Sequence, residues 1–209
     1  MITLYNRSDC PFCWKVRLGL EELQIDYSVV DTQLGEKHPD VVRYNPKGSV
    51  PVLLDGETVI WESSTILEYL DEKYAQGALY PGTAEQRAEI RLLQSYSDTV
   101  VGAALRELVF EKRSKPEDQW DTQKLQHSED AWQVCLRQLS NWLDGKDYFF
   151  DKISAAECAL APRFGLAEAY GACGVDEFPL LKRWFCELKQ RTSYTVTYPD
   201  KFIRYQGSA

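Results

Sequence analysis

The sequence predicts an α/β domain followed by an all-helical domain, on three observations. Short strand and helix signals alternate over residues 1–77. A breaker-rich segment, Leu79-Tyr80-Pro81-Gly82-Thr83, comes next, and no convincing strand pattern returns after it. A Cys-x-x-Cys pair, Cys10 and Cys13, stands where the first strand signal gives way to the first helix. The expected division is residues 1–77 for the α/β domain and 84–209 for the helical one.

Taken in order, Ile2 and Leu4 mark a short apolar strand, and Val16, Leu18, Leu20 and Leu23 mark the helix after it. Cys10 then falls at the helix start, with Pro11 in the first helical position that proline prefers. Free N–H groups and the positive end of the helix dipole there favour thiolate over thiol. Tyr27-Ser28-Val29-Val30 is of strand length and composition, and Asp40 to Tyr44 is a short helical candidate. Asn45-Pro46-Lys47-Gly48 reads as a turn. Val50 to Leu54 and Thr58 to Trp61 are two strands around Asp55-Gly56, a hairpin signal. Pro51 either opens an edge strand or sits in a cis bond that makes a tight turn. Ser63 starts a helix through Ile66, Leu67, Leu70 and Tyr74, which the chain leaves at Gly77.

Past the linker, Ala84 to about Lys112 reads as one long helical run, then a charged break containing Pro116. Asp121 to Leu143 is a second long helix, ended by Gly145. Ser154-Ala155-Ala156-Glu157 is a capping box that opens a small-residue apolar helix reaching about Gly171. Phe178 to Arg191 is the last clear helix, and the aromatic-rich tail from Thr195 carries no assignable pattern.

Composition narrows the function classes. The 209 residues carry 44% hydrophobic and 27% charged side chains, the mix of an ordinary globular protein. A net charge of −8 without a basic stripe argues against nucleic acid and against anionic membrane surfaces. No run approaches a membrane span, and the N-terminus lacks a signal-peptide pattern. Six cysteines then read as mostly free thiols in a reducing, cytoplasmic setting. Cys10 and Cys13 by themselves are a thiol-exchange site, a pair of buried residues, or half of a zinc site. Zinc needs a second ligand pair, and Cys135, Cys158, Cys173, Cys186, His38 and His127 are scattered, so no metal is expected.

The order β-α-β-α-β-β-α with Cys-x-x-Cys after strand one resembles the thioredoxin-like arrangement, in which the proline before strand three is cis. Four stretches together resemble a cytosolic glutathione transferase of the cysteine type, omega- or beta-like. They are Cys10-Pro11-Phe12-Cys13, Asn45 to Leu53 with Val50-Pro51, Trp61-Glu62-Ser63-Ser64, and Ser154-x-x-Glu157. Cys-Pro-Phe-Cys alone would equally suggest a glutaredoxin, which is far shorter.

The resemblance implies a thioredoxin-like glutathione-binding domain and a helical substrate and dimerisation domain. It implies Cys10 as nucleophile and Cys13 as a possible resolving thiol, with glutathione as co-substrate. Val50 and Pro51 would hold the cysteinyl part of glutathione, and Ser63 with the Ser64 N–H the γ-glutamyl carboxylate. Glu62 would face the γ-glutamyl ammonium, Lys37 the glycyl end, and Phe12 would line the pocket. On residue type alone, Ser63 is a helix N-cap, while Glu62 and Lys37 are solvated charges. Tyr5 and Ser8 lie near the place where other members carry a tyrosine or serine.

The implied activity is glutathione-dependent thiol-disulfide exchange or reduction through a mixed disulfide, with conjugation of electrophiles as a weaker activity. Tyr96, Arg106 and Phe110 are candidate lining for the second substrate, and a homodimer is expected. An alternative resemblance is to stringent starvation protein A, a transferase-fold protein that binds RNA polymerase; that relative usually lacks the cysteine pair.

Overall fold

The computed structural model describes residues 1–205. Its secondary structure follows the predicted order closely through the first third. Strand β1 (Ile2–Asn6) leads into helix α1 (Pro11–Glu22), strand β2 (Tyr27–Asp31) and helix α2 (Pro39–Tyr44). Strands β3 (Val52–Asp55) and β4 (Thr58–Trp61) form the hairpin around Asp55-Gly56, and helix α3 (Ser63–Leu70) follows. The four strands form one mixed sheet in the order β2-β1-β3-β4, with β1 parallel to β2 and antiparallel to β3.

Alternation along β1 explains how the sheet is buried on both faces. Ile2 and Leu4 pack with Leu53 against Val16 and Leu20 of α1 and Ile66 and Leu70 of α3. Tyr5 and Val52 pack on Val41 of α2. Helix α3 continues into a π-helical turn, Asp71–Ala75. Asp55 Oδ2 anchors this turn by accepting from Lys73 Nζ at 2.6 Å, Tyr74 Oη at 2.5 Å and, just before it, Tyr69 Oη at 2.8 Å.

The run predicted as one helix from Ala84 to Lys112 is divided. It comprises α4 (Ala84–Tyr96), a π-helical turn (Ser97–Val101), α5 (Gly102–Ala104) and α6 (Arg106–Ser114). The reason is a contact distant in sequence: Ser97 Oγ donates to the Ala159 carbonyl at 2.9 Å, pinning the chain where the register slips. Helix α7 (Thr122–Leu143) is capped by Asp121, which accepts from the N–H groups of Gln123 and Lys124. Helix α8 (Ala155–Ala169) carries the predicted capping box and is buried nearly all round. Its Phe164 packs between Trp132 and Trp184, with ring centroids 5.1 and 5.0 Å away. Helix α9 (Pro179–Lys189) precedes a short α10 (Thr192–Thr197) in the tail that the sequence left unassigned. The last tail residues, 206–209, lie outside the described residues.

Packing divides the described residues into two units: residues 1–89 with 191–201, and residues 90–190 with 202–205. In the first unit, α10 docks on α1. Trp14 Nε1 donates to Thr197 Oγ1 at 3.0 Å, its ring lies 5.2 Å from Tyr194, and Arg191 forks onto Glu22 at 2.8 and 2.7 Å. Among the described residues, every regular element of the second unit is a helix. Among the described residues, no helix is long and apolar enough to cross a membrane.

Candidate active site

Strand register gathers the predicted site at one end of the sheet. Tyr5, near the exit of β1, pairs with Val52 at the entry of β3, and Val52 pairs with Trp61 at the exit of β4. The loop carrying Cys10 leaves β1 there, Val50-Pro51 enters β3 there, and Glu62-Ser63 leaves β4 there. Asn6 at the end of β1 pairs with Asp31 at the end of β2, so the exposed loop carrying Lys37 departs from the same end. The Val50–Pro51 bond is cis.

Cys10 is the N-cap residue of α1, with extended backbone (φ −80°, ψ 121°) and Pro11 beginning the helix. No side chain caps this helix, so its first N–H groups turn to the Cys10 sulfur. The Cys10 pKa is lowered to about 6, first by a hydrogen bond from the Cys13 thiol, then by the Arg7 guanidinium and the N–H groups of Cys13 and Phe12; burial opposes them. Arg7 is held by its ion pair to Asp9 at 2.8 Å, and its carbonyl accepts the Cys10 N–H at 3.1 Å.

Cys13 behaves oppositely. Burial and the adjacent Cys10 push its pKa well up, so it remains a thiol and a donor, with the Arg7 N–H 3.4 Å from its sulfur. Cys10 keeps 5% exposure and Cys13 none, so only Cys10 presents surface to an incoming sulfur. Phe12 is 36% exposed beside it.

These shifts set a pH profile. The rate of Cys10 alkylation, followed on its own peptide, is expected to rise with the thiolate fraction through about pH 6 and level off above it. Cys13→Ala removes the largest lowering cause and should move the midpoint upward, toward the ordinary thiol range. An unmoved midpoint would contradict the assignment of that hydrogen bond.

At the β4–α3 junction the cap position belongs to Glu62, and Ser63 is the first helical residue. The expectation of Ser63 as N-cap is thereby corrected. Glu62 takes φ +71°, a conformation that costs a non-glycine residue about 1–3 kcal/mol and turns the chain sharply into the helix. Its side chain makes no cap bond, which leaves the first-turn N–H groups of α3 to other acceptors. Lys47 Nζ pairs with Glu62 Oε1 at 2.7 Å and lies 5.6 Å from the Trp61 ring centroid. In the sequence Lys47 reads only as part of a turn; its partner Glu62 lies fifteen residues on, beyond the β3–β4 hairpin.

Tyr5 is buried and donates to Asp40 Oδ2 at 3.0 Å, its pKa raised by burial and by Asp40. The Ser8 carbonyl accepts from Arg17 Nη2 at 2.6 Å. In the helical unit, Tyr96 stacks edge-on against Trp142 at 4.8 Å, and Phe110 lies under the Arg106 and Arg113 guanidinium groups.

Comparison with known proteins adds to this geometry. Residues 4–78 match the family described as glutathione S-transferase, N-terminal domain, and residues 103–191 match glutathione S-transferase, C-terminal domain. The chain is 30% identical to glutathione S-transferase 1 of Dianthus caryophyllus over 187 residues, 86% of this chain and 83% of that protein. It superposes on a glutathione S-transferase of Rhodospirillum rubrum with a TM-score of 0.88 at 27% identity, covering 99% of this chain and 97% of the other. It is also 26% identical to FtsZ-localized protein A of Caulobacter vibrioides over 96% of this chain and 92% of that protein.

Proposed function

The chain belongs to the glutathione S-transferase family, and we propose that within it the protein is a glutathione-dependent thiol transferase whose nucleophile is Cys10. The observation that carries this reading is the electrostatic split of one Cys-x-x-Cys pair: Cys10 is lowered to about 6 while Cys13 is raised. A hydroxyl-based transferase needs only to hydrogen-bond the glutathione thiolate. A stabilised protein thiolate is suited instead to attack a sulfur.

In the proposed cycle, the Cys10 thiolate attacks the glutathionyl sulfur of a mixed disulfide. A bond forms between Cys10 and glutathione, and the substrate sulfur leaves with the old bonding pair and takes a proton from water. The thiolate of a second glutathione then attacks the glutathionyl sulfur on Cys10. Oxidised glutathione leaves and Cys10 returns as thiolate, so the two electrons that reduce the substrate come from glutathione. This monothiol route leaves Cys13 as a hydrogen-bond donor, and conjugation of electrophiles is the weaker activity.

Glutathione would lie along the sheet end described above. Its cysteinyl backbone pairs with Val50 before Pro51, and Phe12 lines the thiol. Its γ-glutamyl carboxylate sits on the uncapped start of α3 at Ser63 and Ser64. Glu62 faces the γ-glutamyl ammonium, and Lys37 is assigned to the glycyl end. Glutathione-dependent reduction of a small mixed disulfide, with binding to immobilised glutathione, tests the reading. Turnover and retention are expected. Absence of both would contradict it and favour a docking role, whether of the stringent starvation protein A type or like that named for the Caulobacter relative.

We also assign a cytoplasmic homodimer. Its support is the exposed apolar residues of the helical unit: Leu92 at 69%, Val134 at 60% and Trp142 at 43% exposure. Leu92 lies one turn before Tyr96, which stacks on Trp142, so α4 and α7 share an apolar strip. Sedimentation at micromolar concentration should give a dimer mass, and Leu92→Glu with Trp142→Glu should give a monomer. A wild-type monomer would contradict the assignment.

A further inference from the structure

Cys13 and Arg17 stand one turn apart on α1, three and seven residues past Cys10, a spacing that shares one helix face. Arg17 is buried, at 8% exposure, and the chemistry proposed above makes no use of it. Helical side chains lean toward the N-terminus, and this one reaches back to the loop ahead of α1. There its Nη2 donates to the Ser8 carbonyl at 2.6 Å. Ser8 and Asp9 are the central residues of a turn that the Cys10 N–H closes on the Arg7 carbonyl at 3.1 Å. The Ser8 carbonyl takes no part in that closure, so the Arg17 bond ties the middle of the turn to the helix. The same turn carries Arg7, whose guanidinium stabilises negative charge on Cys10 together with the Cys13 thiol. Arg17 is kept there at a cost. Its Nε is buried without a hydrogen-bond partner among the described residues. Burial weakens its hold on its proton, and Cys13, Tyr27, Asp31 and Cys10 oppose that loss. Tyr27 and Asp31 face it from β2, where Asp31 also accepts from Asn6 Nδ2 at 2.8 Å. A methionine would fill similar space with no charge to desolvate, so stability alone is a weak reason for a cation here.

We propose that Arg17 is a positioning residue for the Cys10 thiolate: it staples the Arg7–Cys10 turn to α1 and so keeps the Arg7 guanidinium and the first helical N–H groups on the sulfur. Its part in turnover rests on the thiol-transferase reading given above, whereas its hold on Cys10 is measurable without glutathione. Arg17 acts through the turn and not by touching the reacting atoms.

The test follows the rate of Cys10 alkylation by iodoacetamide against pH, read on its own peptide. The proteins are wild type, Arg17→Met, Arg17→Gln and Arg17→Lys, with thermal unfolding recorded for each. Arg17→Met removes both the bond and the charge. Its midpoint should rise about one pH unit above the wild-type value of about 6, which lowers the rate there about fivefold. The two rates should converge by about pH 9, where both sulfurs are thiolate. Arg17→Gln, uncharged and shorter in reach, carries the same expectation should the methionine variant fold poorly. Arg17→Lys, which keeps a charged donor, should recover at least about half of the shift. In mixed-disulfide reduction, kcat/KM of Arg17→Met relative to wild type should show the same fivefold fall near pH 6, about, and the same recovery at high pH. An unmoved midpoint, whatever the thermal stability, would make Arg17 an element of the fold only. The assignment is then overturned and the glutathione reading is untouched. A moved midpoint in a protein that reduces no mixed disulfide would sink that reading, while the hold of Arg17 on Cys10 would stand.

Discussion

Cys10→Ser is expected to lower kcat/KM for glutathione-dependent reduction of a mixed disulfide by at least about 10³-fold, the scale seen when a covalent nucleophile is removed. Cys13→Ser should keep most of the activity. The asymmetry follows from the two environments. Cys10 receives the α1 N–H groups, the Cys13 thiol and the field of Arg7, all of which stabilise negative charge on its sulfur. A serine hydroxyl there would titrate far above any working pH, and an alkoxide is in any case no partner for a reversible disulfide. Cys13 is fully buried and held as thiol, so its role is the hydrogen bond it donates, which a serine hydroxyl also supplies. Equal loss in both variants would mean a dithiol route. Retained activity in Cys10→Ser would end the case for a thiol nucleophile.

The second large effect is on stability. Glu157→Ala should destabilise the helical unit by about 3–5 kcal/mol, because its carboxylate accepts from several buried donors at once. Oε1 accepts the Phe149 N–H at 2.9 Å, while Oε2 accepts the Ser154 N–H at 2.8 Å and Oγ–H at 2.6 Å. Burial raises the pKa of this carboxyl, and those hydrogen bonds pull the other way. Truncation removes the acceptors and leaves the donors buried beneath a helix start at which Ser154 and Glu157 are wholly inaccessible. Urea unfolding followed by circular dichroism measures the loss. A change below about 1 kcal/mol would show that the capping box is replaceable by solvent.

Much of this was legible in the sequence, because the relevant signals are local. Pro11 and the following apolar period locate the start of α1, and Asp55-Gly56 locates the hairpin. Ser154 and Glu157 mark the start of α8 through bonds that span three residues. The motifs of the candidate site were legible for a related reason: each is local, and strand register carries three of them to one end of the sheet.

What sequence reading missed depends on distant partners. The π-helical turn at Ser97–Val101 is pinned by the carbonyl of Ala159, sixty-two residues on. Helix α10 contains Thr195-Val196-Thr197, a β-branched run with poor helix propensity. It is helical where Trp14 and Glu22 of α1 give it tertiary contacts. Lys47 and Lys15 are single cations in a chain with 24 lysines and arginines, and nothing local distinguishes them. Their partners, Glu62 and Ser64, come from another element. Ser63 was misplaced by one residue as a cap, because the turn into α3 is made by the positive φ of Glu62, a backbone state that residue type disfavours.

The central claim is that Cys10 carries the glutathionyl group. Its most direct measurement is the intact mass of the Cys13→Ser protein after brief exposure to oxidised glutathione, followed by peptide mapping and by addition of reduced glutathione. One glutathionyl group on the Cys10 peptide, removed by reduced glutathione, is the expected result. An unmodified Cys10 peptide, or modification confined to the exposed Cys173 or Cys186, would contradict the account.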